Sequence, residues 1–65
     1  MITITGMDKF NNTISMSALS IDVKPIENFE FENVNYKIRN GSTFYEMDTK
    51  KAFMYDEENH LWYDV

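Results

Sequence analysis

The residues of this chain that could do chemistry are concentrated near its C-terminal end. The run Asp56-Glu57-Glu58-Asn59 could bind a cation, and His60 follows it directly. The run lacks the alternating ligands and the central glycine of a calcium loop. The sequence places no serine, cysteine or second histidine to work with His60, and catalytic groups need such mutual support. We therefore predict a solvated turn with Asn59 in the left-handed conformation, no enzymatic activity, and no catalytic, metal or cofactor site.

Four aromatic residues are of the types that stack on sugars. They are Tyr45, Tyr55, Trp62 and Tyr63. In a domain this small such residues more often form the core, because aromatic side chains bury large areas. Both interpretations, a core and a carbohydrate platform, stay open at this point, and we favour the core.

Length and charge limit the classes of function. The 65 residues suffice for one domain, whose core is marginal, and with no cysteine it has no disulfide to stabilise it. The whole net charge of −5 lies in residues 25–65, so direct binding to nucleic acid is not expected. No segment has the ~20 apolar residues of a membrane span, and residues 1–6 do not resemble a signal peptide. We expect neither membrane insertion nor secretion.

The N-terminal half alternates apolar and polar residues, but with a break. Ile14, Met16 and Ala18 share one phase, whereas Leu19, Ile21 and Val23 share the other. A strand cannot change face without a break or a bulge, and Lys24-Pro25 then interrupts the pattern. We predict that residues 1–24 form a β-prone arm or hairpin. Residues 25–33 are predicted to be an acidic linker or an edge strand.

Residues 34–65 predict an all-β unit, a small antiparallel meander. Its strands are expected near 34–39, 42–47, 52–56 and 61–65. Asn40-Gly41 is a strong signal for a type I′ hairpin turn, and a second turn over 47–50 requires a left-handed Lys50. The two registers agree on one core face, which carries Val34, Tyr36, Ile38, Tyr45, Met47, Phe53 and Tyr55, with Trp62 covering one end.

The opposite face of this meander carries fewer apolar side chains. Phe44, Ala52 and Met54 lie on it, and Phe29 and Phe31 lie in the preceding segment. An exposed apolar patch often marks an interface, so these five residues are the predicted contact surface. The alternative is that residues 1–23 fold over Phe44, Ala52 and Met54.

Residues 41–63 resemble a module of tailed phages and prophages. The stretch Gly41-Ser-Thr-Phe-Tyr-Glu-Met-Asp-Thr-Lys-Lys-Ala-Phe-Met-Tyr-Asp56, followed by Trp62, is similar to the pattern Gly-Ser/Asp-x-Tyr/Phe-Tyr-x-x-Asp-Thr-Gly-Lys-x-Tyr-x-Tyr-Asp…Trp. That pattern occurs in small virion-associated proteins and in fibre, baseplate or head-fibre proteins. Lys50 stands where the pattern has glycine. By position, the resemblance implies turn residues at Asp48, Thr49 and Lys51, and packed residues at Tyr45, Met47, Phe53, Tyr55 and Trp62.

The resemblance implies a structural or accessory virion protein that works through protein–protein contacts. Decoration, fibre attachment and stabilisation of a capsid or tail are the expected roles. The expected partner is a virion protein or a second copy, and the expected location is the virion or the host cytoplasm. One alternative is an acidic phage-encoded inhibitor of a host nucleic-acid-binding enzyme, suggested by the one-sided charge. The other is a small carbohydrate-binding module.

Overall fold

The computed structural model describes all 65 residues and contains seven strands and no helix. The all-β class predicted from the sequence is therefore confirmed. The strands are β1 (Thr3–Asp8), β2 (Thr13–Ala18), β3 (Asn28–Phe31), β4 (Val34–Lys37), β5 (Thr43–Glu46), β6 (Lys51–Asp56) and β7 (Leu61–Asp64).

The main sheet has five strands in the order β1-β2-β5-β6-β7, and β3 and β4 form a separate hairpin. The sheet is mixed rather than purely antiparallel, because β2 and β5 pair in parallel. Parallel neighbours need a crossover connection, and residues 19–42, which contain the β3–β4 hairpin, provide it. This hairpin packs against one face of the sheet, where Phe29, Tyr36 and Ile38 contact the core.

The predicted pairing of 34–39 with 42–47 is wrong. A type I′ turn requires positive φ at both central residues, and at Asn40-Gly41 only Gly41 has it, with φ 92°. The hairpin turn with positive φ at both positions is instead Glu32-Asn33, with φ of 51° and 66°. Residues 25–33 therefore contain a paired strand rather than a linker, and Asn40-Gly41 leads from the hairpin back into the sheet.

The predicted register between β5 and β6 is wrong by one residue. Lys50 has a φ of 60°, as predicted, but the loop holds four residues and is closed by the pair Glu46–Lys51. Phe44 therefore lies opposite Phe53. A one-residue shift moves every side chain of a strand to the other face. Phe44 is consequently fully buried, whereas Tyr45 and Met47 are 41% and 51% exposed.

The core contains six fully buried apolar residues: Ile14, Met16, Ala18, Ile38, Phe44 and Tyr55. Partly buried residues pack around them: Ile2, Ile4, Phe29, Tyr36, Phe53 and Trp62. Among the predicted core residues, Ile38 and Tyr55 are buried, and Tyr36, Phe53 and Trp62 are partly buried. Val34 is a further correction, because it lies beside the Glu32-Asn33 turn, beyond the core, and is 49% exposed.

Residues 1–24 belong to the folded unit and are not a separate arm. β2 lies inside the sheet and supplies three of the six core residues. The change of apolar phase after Ala18 marks the end of this strand, and Ile21 and Val23 are exposed. Lys24-Pro25 is therefore a crossing segment within one domain rather than a boundary.

The crossing segment is attached to the sheet by two polar contacts. Lys24 Nζ lies 2.6 Å from Glu46 Oε2 and 4.2 Å from the centre of the Phe53 ring. Trp62 Nε1 donates a hydrogen bond to the Pro25 carbonyl oxygen at 2.8 Å. These contacts hold residues 24 and 25 over the same sheet face as the hairpin, which we call the covered face.

Candidate interaction surfaces

The other face of the main sheet has no element packed on it, and we call it the open face. The strand register places thirteen residues there: Thr3, Gly6, Asp8, Thr13, Ser15, Ser17, Thr43, Tyr45, Ala52, Met54, Asp56, Leu61 and Tyr63. Two of the thirteen, Asp8 and Asp56, are acids and none is a base. Tyr45, Met54, Leu61 and Tyr63 are each about half exposed.

The open face is divided by side-chain size. Its bulky residues stand on β5, β6 and β7, where Met54 lies opposite Tyr63. Its small residues, Thr3, Ser15 and Ser17, stand on β1 and β2. An exposed, half-apolar surface of this kind often marks an interface.

The two aspartates of the open face stand at the ends of β1 and β6, at the same end of the sheet. Asp8 Oδ1 accepts hydrogen bonds from the backbone of Phe10 and Asn11, and the Asn11 amide donates to Oδ2 at 2.8 Å. Asp56 makes the same three contacts within its own loop, and its contact to the Asn59 amide is also 2.8 Å. These hydrogen bonds, above all those from the two asparagine amides, lower the pKa of both carboxyl groups.

The loop that begins at Asp56 is therefore an internally bonded turn. Its left-handed residue is His60, with φ 55°, and not Asn59 as predicted. Asn12 and Lys50 occupy the equivalent fourth loop position, with φ of 58° and 60°. No group of three His, Cys, Asp or Glu side chains in the structure is placed to share a metal ion.

A cleft of about 740 Å³ lies between this loop and the segments before β3 and after β4. Glu27, Asp56, Glu57 and Glu58 line it, together with Lys37 and His60. The Tyr55 hydroxyl lies 3.1 Å from His60 Nδ1. Burial, with the nearby charges of Glu27 and Glu57, raises the pKa of Tyr55, so its hydroxyl stays protonated. Every buried side-chain nitrogen and oxygen of the protein has a hydrogen-bond partner.

The structure separates the five residues of the predicted contact surface. Ala52 and Met54 lie exposed on the open face, but Phe44 lies in the core on the opposite side. Phe29 and Phe31 stack at 6.2 Å on the covering hairpin. Tyr45, Leu61 and Tyr63 complete the apolar part of the open face and were not predicted. The alternation of Leu61 with Tyr63 was a usable signal, whereas Tyr45 was hidden by the register error.

The four aromatic residues considered for sugar stacking do not form one platform. Tyr55 and Trp62 pack together on the covered face, with ring centres 4.9 Å apart. Tyr45 and Tyr63 stand on the open face, on β5 and β7. Their separation by the sheet favours a core role for the first pair and a surface role for the second.

Comparison with protein-family models, curated proteins and solved structures gives no significant match. The resemblance of residues 41–63 to phage virion modules therefore stays a prediction. None of the elements is a helix with the length and hydropathy required to cross a membrane.

Proposed function

We propose that this protein is a non-enzymatic structural or accessory component of a phage or prophage virion, and that it works through protein–protein contacts at its open face. The observation that carries the proposal is the open face itself, a half-apolar exposed surface whose two charged side chains, Asp8 and Asp56, stand together at one end. Exposed patches of this kind mark interaction sites, and interface cores are depleted of charged residues.

The size of the protein adds support. Only six apolar residues are fully buried, all on the covered face or beneath the hairpin, and the chain has no disulfide. Domains of this size usually gain stability from a partner, a metal or a disulfide. A partner on the open face would bury Tyr45, Met54 and Tyr63 and would give the sheet a second apolar layer.

The virion setting rests on the resemblance of residues 41–63. The glycine of that pattern falls on Lys50, which has the left-handed φ of 60° that glycine adopts most easily. A left-handed residue at this position is what a glycine in the pattern would accommodate. Decoration, fibre attachment and stabilisation of a capsid or tail all require the same thing of this chain, a persistent contact with a neighbouring protein.

Mass spectrometry of gradient-purified particles tests the proposal. The particles should come from the phage or induced prophage that encodes this chain, and we expect the protein in them at a constant ratio to the capsid protein. Met54→Glu places a charge on the open face and should remove the protein from particles without unfolding it. Met47→Glu is the matched control, because Met47 is similarly exposed but lies in the β5–β6 loop. Absence of the wild-type protein from particles would refute the virion role.

The acidic cleft favours a second candidate, an inhibitor that occupies a basic nucleic-acid-binding site of a host enzyme. Glu58 stands near Glu27 and Asp56 at this cleft, where their fields add, and Glu57 beside them is paired with Arg39 at 3.4 Å. Binding of such an enzyme by the wild-type protein, and its loss in the double variant Glu57→Gln and Glu58→Gln, would favour this role. The open-face variant Met54→Glu should then bind the enzyme normally.

A further inference from the structure

Strand β7 forms one edge of the main sheet and carries backbone groups that no other strand bonds. The Val65 N–H donates to the Ala52 carbonyl oxygen at 2.9 Å, and alternate pairs of an antiparallel ladder are hydrogen-bonded. Tyr55, which lies opposite Trp62, instead directs its own N–H and C=O to the residues just before β5. The N–H and C=O groups of Trp62 and Asp64 therefore point outward, away from the sheet.

The edge at β7 lacks the features that prevent pairing at the other edge. Edge strands are commonly protected by a bulge, a proline or a lysine. At β1 the register shifts between Ile4 and Gly6, which is a bulge. In β7 the register is regular, the strand has no proline or lysine, and its one charge is Asp64. Its outer side chains Leu61 and Tyr63 are both 51% exposed.

We propose that the β7 edge pairs with the β7 edge of a second copy. The two strands run antiparallel around a two-fold axis perpendicular to the sheet, so the two main sheets become one continuous sheet. This contact uses the edge and not the open face, and it does not depend on the function proposed above. The observation that carries it is the self-complementary set of outward groups on Trp62 and Asp64.

The outward groups select one register. Directly opposite residues exchange both hydrogen bonds, so Trp62 opposite Asp64 of the second copy uses every outward group of both strands. Trp62 opposite its own symmetry mate would use fewer, because the next outward position is His60, whose left-handed φ of 55° takes it out of the strand. Asp64 opposite its own symmetry mate would set like charges against each other, which is destabilising.

The side chains fit this register on the open-face side of the edge. Tyr63 lies opposite its own symmetry mate, and Leu61 lies opposite Val65 of the second copy. Pairs without backbone bonds bring their Cα atoms to about 4.5 Å, so these side chains touch. Val65 is 78% exposed in the single chain. The contact therefore covers apolar side chains that the monomer leaves in solvent.

The antiparallel arrangement keeps the acidic ends of the two copies apart. Asp8 and Asp56 stand at one end of the open face, and rotation about an axis through Tyr63 carries those of the second copy to the opposite end. The two Asp64 residues stand diagonally across the contact, about 7–8 Å apart. Both are exposed, and this separation is close to the Debye length of ~8 Å at physiological salt. Added salt should therefore strengthen the dimer.

The contact is small, because one short strand from each copy forms it. Its area lies below that of standard specific interfaces. We expect a dissociation constant on the order of 0.1 mM. Copies held side by side on a larger assembly would pair more completely, because their effective concentration is higher.

Sedimentation velocity with two substitutions at one position tests the pairing. The wild-type mass should rise with concentration from 7.7 kDa toward twice that value, and more readily when salt is added. Asp64→Asn removes the charge but keeps the N–H, and it should dimerise at lower concentration. Asp64→Pro removes the charge and the outward N–H, and it should stay monomeric. Proline is tolerated where the N–H of an edge strand faces solvent, so its circular dichroism spectrum should be unchanged.

Two further variants separate the edge from the open face and test the register. Ser15→Glu charges the open face on β2 and should dimerise like the wild type. Tyr63→Cys should form a disulfide with its symmetry mate on mild oxidation, because a Cα separation of about 4.5 Å suits one. Leu61→Cys is equally exposed, but its symmetry mate lies four residues along the strand, and it should stay reduced far longer. The chain has no other cysteine.

The outcomes that overturn the pairing are distinct from those that refute the virion role. A wild type and an Asp64→Asn variant that both stay monomeric up to millimolar concentration overturn the dimer. Loss of the dimer in Ser15→Glu, or equal oxidation of Tyr63→Cys and Leu61→Cys, overturns the edge contact and its register. A dimer that behaves as described in a protein absent from particles supports this inference and refutes the virion role.

Discussion

The two faces of the main sheet are made by the same strands but differ in what they contribute. Phe44 and Tyr45 are neighbours on β5, and the first is buried on the covered face, against Trp62 and Lys24, while the second is exposed. The covered face holds an ion pair, Lys24 and Glu46, whereas the open face carries two aspartates at one end, Asp8 and Asp56, and no base. The covered face therefore supplies the apolar contacts that stabilise the fold. The side chains of the open face remain available for contact with a partner.

The largest loss of stability is expected for a substitution at Phe44, on the covered face. Phe44→Ala should destabilise the monomer by about 3–5 kcal/mol, because it leaves a cavity between the sheet and the hairpin. A domain of this length has a total stability of roughly 3–10 kcal/mol, so the variant should be largely unfolded. Urea titration followed by circular dichroism measures the effect. A midpoint close to that of the wild type would mean that Phe44 does not lie in the core.

The ion pair between Lys24 and Glu46 on the covered face should make the stability of the protein depend on pH. The hydrogen bonds from Lys24 and Thr49 hold the pKa of Glu46 below its usual value. A lowered folded-state pKa contributes stability that is present above the unfolded-state pKa of about 4.3 and is lost as the pH falls through the folded-state value. Glu46→Gln should therefore be less stable than the wild type at pH 7, and the difference should shrink at pH 3.

Urea titrations of both proteins at the two pH values measure this change. Glu58→Gln is the control, because Glu58 is exposed in the β6–β7 loop and forms no ion pair in the structure. A stability difference between Glu46→Gln and the wild type that is the same at pH 3 and pH 7 would contradict the assigned role of Glu46.

The length of the β5–β6 loop determines which β5 side chains lie on the covered face. The left-handed conformation of Lys50 in this loop can be tested by substitution. Lys50→Gly should stabilise the protein by up to about 1 kcal/mol, because glycine adopts the observed φ of 60° without steric cost. Lys51→Gly, at the adjacent strand position, should destabilise it instead. The two melting temperatures check this, and a destabilising Lys50→Gly would argue against a left-handed residue 50.

The smallest effect on folding is expected on the open face. Tyr45→Thr keeps a residue that favours strands and should change the stability of the monomer by about 0.5 kcal/mol or less. Measured in the dilute protein, this result contrasts directly with that for Phe44→Ala one residue away. A loss comparable to that of Phe44→Ala would mean that the open face is covered within the monomer.

The sequence predicted the local features of this fold better than its long-range pairing. Strands β5 to β7 fall within about two residues of their predicted positions, and Lys50 is left-handed as expected. The parallel pairing of β2 with β5 joins residues almost thirty positions apart, such as Ser15 and Thr43, and no local pattern indicates it. Asn40-Gly41 was also a local signal, and it predicted a hairpin turn that does not form. The hairpin turn is Glu32-Asn33.

The candidate surface was only partly predictable for the same reason. Loops of three and of four residues both accommodate a left-handed Lys50, but they place opposite sets of β5 side chains on the covered face. The three-residue interpretation put Tyr45 in the core and Phe44 at the interface. Ala52 and Met54 were correctly predicted to be exposed, because the two faces of β6 were assigned as observed. For β5 the prediction exchanged the two faces.

Oxidation of the methionines by hydrogen peroxide, followed by peptide mass spectrometry, tests the difference between the two faces most directly. Met16 lies in the core, Met54 on the open face, and Met1 and Met47 are exposed outside both. In dilute protein we expect Met1, Met47 and Met54 to be oxidised quickly and Met16 slowly. Rapid oxidation of Met16 in the folded protein, or slow oxidation of Met54 in the dilute protein, would contradict the account.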